Sequence, residues 1–420
     1  MGFASTYLKE RALFPEFVKE APSEATGIIA VVPSYSEPDV TDLLDSLAQC
    51  HEPACKAEVL IIINAPANAD PESLENNIKS IRKAESWKKN HPDCFFQLFI
   101  IDVTSCKIDR WGVGSARKTG MDEAVRRFNY IDNPEGVILS LDADCTVEKN
   151  YFTTVHEELA QRMDRSGCSI YFEHQVSGTK FPDSVYRSII LYELHLRYYF
   201  QGLAYSGFPY VHHTVGSAIA VKSLPYIKVG GMNRKMAGED FYFIKKLVPS
   251  GGYFNLNRTA IFPSPRLSFR VPFGTGPALT KMAGGETNTF FSYNIQAFKE
   301  LKALFDLIDR IFYCQPDDPE FLYSDLPPGI KQLTEVSEWA DKIREIKNNT
   351  SGIQSFRKRF FGWFDMFRIV KYMNSVHLSL LKKKPVVDSA AELLDELKKE
   401  LVSKEPRDML EFYRKLEKQF

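Results

Sequence analysis

Through the first third of the chain, short continuous apolar runs alternate with stretches that repeat every three to four residues. Gly27-Ile28-Ile29-Ala30-Val31-Val32 has the length and continuity of a buried strand, and Asp39 to Gln49 carries Val40, Leu43, Leu44 and Leu47 on one helical face. Glu58 to Ile63 predicts a second strand, Ser73 to Lys89 a helix, Phe95 to Val103 a third strand, Gly114 to Asn129 another helix, and Gly136 to Leu141 a fourth strand. Apolar strands separated by helices imply a parallel sheet covered on both faces, and ligands of such sheets bind beyond the carboxyl ends of the strands. Pro33 to Pro38, Asn64 and Asp142 to Cys145 fall there.

The pattern then changes. Ser184 to Tyr205 predicts a long aromatic helix, Ser217 to Val221 a strand, Gly238-Glu239-Asp240 the start of a short helix, and Gly252 to Phe262 an extended segment. A Pro/Gly/Arg loop follows over Pro263 to Pro277, and from about Thr287 only helical patterns continue. The expected organisation is a lead segment over 1–25, an α/β domain over 26–275 and a helical region over 276–420.

Composition narrows the function. The 53 basic and 54 acidic side chains give a net charge of -1, which excludes nucleic-acid binding through bulk charge. No apolar run reaches the roughly 18 to 20 residues of a membrane span, and the first residues lack a secretory pattern, so the expected compartment is the cytoplasm. Seven cysteines without a Cys-x-x-Cys pair suggest reduced thiols.

Chemistry enters at Leu139-Ser140-Leu141-Asp142-Ala143-Asp144, where a strand delivers two carboxylates two residues apart. If the backbone stays extended, both face one ligand, and hard divalent cations favour such oxygens together with substrate phosphates. Three further segments accompany this Asp-x-Asp. Val31 to Pro38 follows the first strand, Gly112 to Gly120 precedes the acidic strand, and Gly238-Glu239-Asp240 lies about a hundred residues after it.

With this ordered set, residues 26 to 275 resemble the family 2 glycosyltransferases of the GT-A fold, whose sheet is mostly parallel and Rossmann-like. The resemblance implies transfer of a sugar, hexosyltransferase-like, from a nucleotide-diphosphate donor to an acceptor hydroxyl, with inversion and with Mn²⁺ or Mg²⁺ as cofactor. It implies that Pro33, Tyr35 and Glu37 border the nucleotide, that Asp142 contacts the ribose or donor sugar, and that Asp144, helped by Asp142, holds the metal. Gly114 and Arg117 would lie beside the donor, with Lys118 standing where family members usually have Asn. Asp240 would be the catalytic base, with Glu239 its neighbour.

The sequence departs from the family at Asn64, which ends the second strand where an Asp-rich turn usually helps read the base, so base preference stays open. The Gln-x-x-Arg-Trp motif of processive synthases is absent. The loop after the base holds no His, but Arg266 and Arg270 lie four residues apart in it and suit a lid over a diphosphate. The rival readings are a nucleotide-sugar nucleotidyltransferase, which would carry a Gly-rich basic loop that is missing here, and a non-catalytic nucleotide-sugar-binding protein. Between Ser351 and Pro385, eight basic residues interleave with aromatic ones and face only Asp365. Packing on the adjoining domain is the expected use of that stretch, and peripheral contact with an anionic membrane is the alternative.

Overall fold

Each apolar run becomes a strand of an eight-stranded sheet. A computed structural model describes residues 2–106, 111–268, 274–283, 289–314, 319–400 and 403–420. The strands are β1 (Thr26–Ser34), β2 (Lys56–Ile63), β3 (Phe96–Asp102), β4 (Val137–Ser140), β5 (Cys145–Val147), β6 (Gly167–Phe172), β7 (Ile219–Lys222) and β8 (Tyr253–Pro263). Their order is β3-β2-β1-β4-β7-β6-β8-β5. β1 pairs in parallel with β2 and β4, and β2 with β3, so the first four strands have the predicted arrangement. β7 runs antiparallel to both β4 and β6, while β8 runs parallel to β6 and antiparallel to β5. The sheet is therefore mixed. Strand direction leaves no mark on a fully apolar run, and β5 and β6, one only three residues long and the other opening Gly-Cys-Ser, lack the signal that marked β1 to β4.

The strand order reverses at β1. The chain proceeds outward from β1 to β2 and β3, then returns to place β4 on the other side of β1. Such a reversal opens a crevice beyond the carboxyl ends of the two central strands. The helix Val113–Tyr130 lies against the sheet here, and Gly120 makes this possible, since a Cβ at that position would collide with Val31 and Ile62. The lead segment forms a short helix, Ser5–Arg11, whose Tyr7 hydroxyl donates to buried Asp122 at 2.8 Å.

The chain divides into two compact units, one of residues 1–181, 214–277 and 418–420, the other of residues 182–213 and 278–417. In the second unit the aromatic helix, Asp183–Tyr205, packs with the helices Ile295–Asp306 and Val386–Glu396. A buried ionic network ties it to the helix Pro406–Lys418: Arg197 pairs with Glu193 and Glu417, and Arg414 with Glu193, all at 2.8 Å. His213 lies 3.1 Å from Glu417, and half-buried His195 lies 2.7 Å from the Ser292 hydroxyl, so both histidines are held by hydrogen-bonding partners within this unit. Most of the basic, aromatic stretch also packs: Phe356, Phe360, Phe361 and Phe364 are buried. No helix among the described residues is long and apolar enough to cross a membrane.

Candidate active site

Beyond β1 the chain turns through Ser36, which adopts a left-handed φ of 53°. A non-glycine residue is held there only when its surroundings over-determine it, at a cost of about 1–3 kcal/mol. The helix Pro71–Asn90 supplies that constraint. Asn77 accepts the Ser36 N–H at 2.8 Å, Asn76 donates to the Ser36 hydroxyl at 3.1 Å, the Ser80 hydroxyl donates to the Glu37 carbonyl, and Lys83 donates to the Pro38 carbonyl at 2.6 Å. Sequence reasoning missed these positioning residues. Their signal was a polar patch with buried members, Asn77 and Ser80, on an otherwise ordinary amphipathic helix.

Asn64 belongs to the same brace. Its amide donates to the carbonyls of Ser34 at 3.0 Å and Ile62 at 3.2 Å, and its own carbonyl accepts from Asn77 at 2.9 Å. It ties the ends of β1 and β2 together. Pro33 is within β1, and Tyr35 follows it at the start of the turn.

The Asp-x-Asp differs from its expected form. β4 ends at Ser140, and the Cys145 N–H closes a turn on the Asp142 carbonyl at 3.1 Å, so the two carboxylates lie on a turn and not on extended strand. They consequently meet different arginines. Asp142 accepts from Arg117 Nη2 at 2.6 Å, and Asp144 pairs with Arg266 Nε at 2.8 Å.

Each arginine then reaches a second carboxylate from a distant segment. The second terminal nitrogen of Arg117, Nη1, donates to Glu239, and the Arg266 fork closes on both oxygens of Glu37, with Nη1 to Oε2 at 2.6 Å. Two-point pairing of this kind fixes orientation as well as charge. Arg117 is fully buried. Burial alone would lower its pKa, but the attraction of Asp142, Glu239 and Asp240 outweighs that effect and holds it above the ordinary arginine value. Arg266 behaves alike: burial opposes its charge, and the hydrogen bond to Glu37 with the attraction of Asp144 restores and exceeds it. Arg270 lies outside the described residues.

Small residues make room for Arg117. A Cβ on Gly216 would overlap its guanidinium, and a Cβ on Gly114 would strike the backbone of Lys235 and Asn233, so Gly114 permits close approach of the segment before Glu239. Gly216 was not legible in the sequence, where it looked like a residue preceding a strand. The helix Glu239–Leu247 starts at Gly238, whose φ of 70° suits glycine. Asn233 secures that start by donating to the Glu239 carbonyl at 2.8 Å.

Glu239 and Asp240 occupy different environments. Glu239 is 3% exposed, and burial pushes its carboxyl up to about 7 against the lowering pull of Arg117. Asp240 is half-buried and accepts the Phe241 N–H at 2.7 Å. Burial raises its pKa too, opposed by Arg117 and by the backbone hydrogen bonds from Phe241 and Gly216. A carboxylate whose pKa is raised by burial is a stronger base than a solvated one, a property that suits a general base.

Lys118 does not join this cluster. It pairs with Asp122 at 2.8 Å and donates to Tyr7 at 3.1 Å, in a buried group that also contains Tyr226. One residue along a helix turns a side chain by about 100°, so Arg117 and Lys118 cannot share a direction.

Asp142 is 42% exposed at its side chain and Asp144 22%. Among the described residues no group of three or more His, Cys, Asp or Glu could hold a metal ion by itself. Two partly exposed carboxylates on one turn fit a hard cation that completes its oxygen shell from a bound diphosphate.

No family model matches the sequence, and no curated protein matches it. Among solved structures, the chain is similar to TarS 1–349 of S. aureus in complex with UDP-GlcNAc, at 12% identity and a TM-score of 0.42, over 77% of this chain and 91% of that one. It is similar to the mannosyltransferase PcManGT of Pyrobaculum calidifontis in complex with GDP-Man and Mn²⁺, at 11% identity and 0.36, over 99% and 92%. A third is glucosyl-3-phosphoglycerate synthase of Mycobacterium tuberculosis in complex with Mg²⁺ and UDP, at 9% identity and 0.35, over 57% and 70%. Likeness at this level fixes neither activity nor ligand.

Proposed function

We propose that the chain is a glycosyltransferase that moves a sugar from a nucleotide-diphosphate donor to an acceptor hydroxyl with inversion. What supports the reading is one observation: two arginines gather Glu37, Asp142, Asp144 and Glu239, acidic residues from three distant segments, at the crevice where the strand order reverses, with Asp240 beside them. A single ligand that carries both a nucleoside and two phosphates would draw on all of them.

In this reading the nucleoside lies along Pro33, Tyr35 and Glu37, and Asp142 orients the ribose or the sugar. Asp144 and Asp142 would hold Mn²⁺ or Mg²⁺, which supplies charge neutralisation for the departing diphosphate. Arg266, whose guanidinium sits between Glu37 and Asp144, would turn toward the same phosphates, where donors count most as negative charge accumulates. Asp240 takes the proton from the acceptor hydroxyl while the acceptor oxygen bonds to the anomeric carbon. The bond from that carbon to the phosphate oxygen breaks, and the diphosphate leaves with the electron pair. Arg117 is a positioning residue that fixes Asp142 and Glu239 around the base.

Two variants probe these roles. Asp144→Asn should remove most of the stimulation of donor binding by Mn²⁺, measured by titration with and without the ion; an unchanged difference would take Asp144 out of the site. Arg266→Ala should lower turnover by at least about tenfold while weakening donor binding less, and an unaltered turnover would reduce Arg266 to a structural tie. The reading as a whole is tested by unfolding the protein with a panel of nucleotide sugars, with and without Mn²⁺. A ligand that binds only the native state raises the unfolding midpoint. One nucleotide class should do so, more strongly with Mn²⁺, and no shift with any nucleotide would overturn the proposal.

A further inference from the structure

Within the second unit, the helix Met366–Ser379 buries Ile369, Tyr372, Met373 and Val376. The opposite stripe carries Phe367, Lys371, Asn374 and Leu378, spaced so that they share one exposed helical face. Leu378 is 88% exposed, the highest value of any large apolar side chain among the described residues, and Leu380 just beyond the helix is 52% exposed. Two exposed leucines thus fall within three residues at the end of one helix, with Leu378 almost wholly in water.

The charges around them are also distinctive. In the neighbouring stretch several basic side chains have acidic partners: Arg357 with Asp309 at 2.7 Å, Arg368 with Glu338 at 3.4 Å, and Lys384 with Glu392 at 2.5 Å. Lys371 and Lys382 make no ion pair among the described residues, and Lys383 lies over the Tyr293 ring at 5.3 Å. Exposed leucines are thus bordered by lysines on a chain whose net charge is only -1. The complementary surface is apolar inside and anionic outside. Phosphate groups of nucleic acid would match the lysines but would leave Leu378 in water.

We propose that this face docks on an anionic lipid bilayer, with Leu378 and Leu380 entering the interface and Lys371, Lys382 and Lys383 set against the headgroups. The inference stands apart from the glycosyltransferase reading, since no residue of the candidate active site takes part. Most of the aromatic residues of this stretch pack internally, so the contact is confined to a few side chains. It is therefore reversible, and it weakens as salt screens the lysines.

The test is co-sedimentation of the full chain with vesicles of phosphatidylcholine alone and of phosphatidylcholine mixed with phosphatidylglycerol. Binding should require phosphatidylglycerol and fall with added salt. Lys371→Glu should weaken it by at least about fivefold, from roughly 1 kcal/mol per surface lysine. Leu378→Ser should weaken it by about tenfold through loss of the apolar contact. Both positions are exposed, and an unchanged unfolding midpoint certifies each variant as folded. Equal binding to both vesicle types, binding to neither, or full binding by the two folded variants would overturn the proposal. So would capture by a DNA duplex, sensitive to Lys371→Glu, with none by the vesicles.

Discussion

Replacing Asp240 with Asn should lower sugar transfer by about 100-fold or more, with donor affinity held within about twofold. The amide keeps the shape of the carboxylate and can still accept the Phe241 N–H through its oxygen, so the local fold has no reason to change. It cannot take up a proton, and proton removal from the acceptor is the step assigned to this side chain. Glu239 is a poor substitute, because it is buried and its carboxylate is engaged by Arg117. Measuring turnover and donor binding on the same preparation separates the two quantities. Near-normal transfer by Asp240→Asn would place the base elsewhere.

The second large effect is on stability. Arg117→Met should destabilise the protein by about 3–5 kcal/mol, because one buried guanidinium balances Asp142 and Glu239 and its removal leaves the buried Glu239 without a cation. The loss should depend on pH. Burial already raises the Glu239 carboxyl to about 7 with Arg117 present, and losing that cation raises it further. A carboxyl whose folded pKa lies above its unfolded value keeps its proton in the folded state, so stability declines as pH rises from the unfolded value toward the folded one. The deficit of Arg117→Met should accordingly be smaller at pH 5 than at pH 8. Adding Glu239→Gln should recover part of the stability at pH 8, since the amide carries no charge to bury. Denaturant unfolding of the single and double variants at both pH values measures this. A deficit independent of pH would mean that Glu239 is not the group left uncompensated.

The sequence made the first four strands easy to locate because a parallel strand covered on both faces must be apolar throughout, as Val59 to Ile63 is. Glu37 and Asp144 follow the ends of two of those strands, and Arg266 pairs with both. Long-range pairings were not legible. Arg117 finds its partners 25 and 122 residues away, and Arg266 reaches Glu37 across 229 residues, separations at which no local spacing rule operates. The separate partners of Arg117 and Lys118 were hidden for a related reason, since adjacent letters in a motif point in different directions once the motif is helical. The turn at Asp142 was hidden because the same two carboxylates fit an extended strand equally well. Gly216 and the brace of Asn76, Asn77 and Ser80 act through space and hydrogen bonds that no periodicity records.

The central claim is that these carboxylates and arginines serve a nucleotide-diphosphate sugar. The direct measurement is to incubate the protein with a set of nucleotide sugars and Mn²⁺ and to identify the nucleotide product. The account predicts release of nucleoside diphosphate from one donor class, greatly reduced in Asp240→Asn. Pyrophosphate formed from a nucleoside triphosphate and a sugar phosphate, or no turnover of any donor, would contradict it.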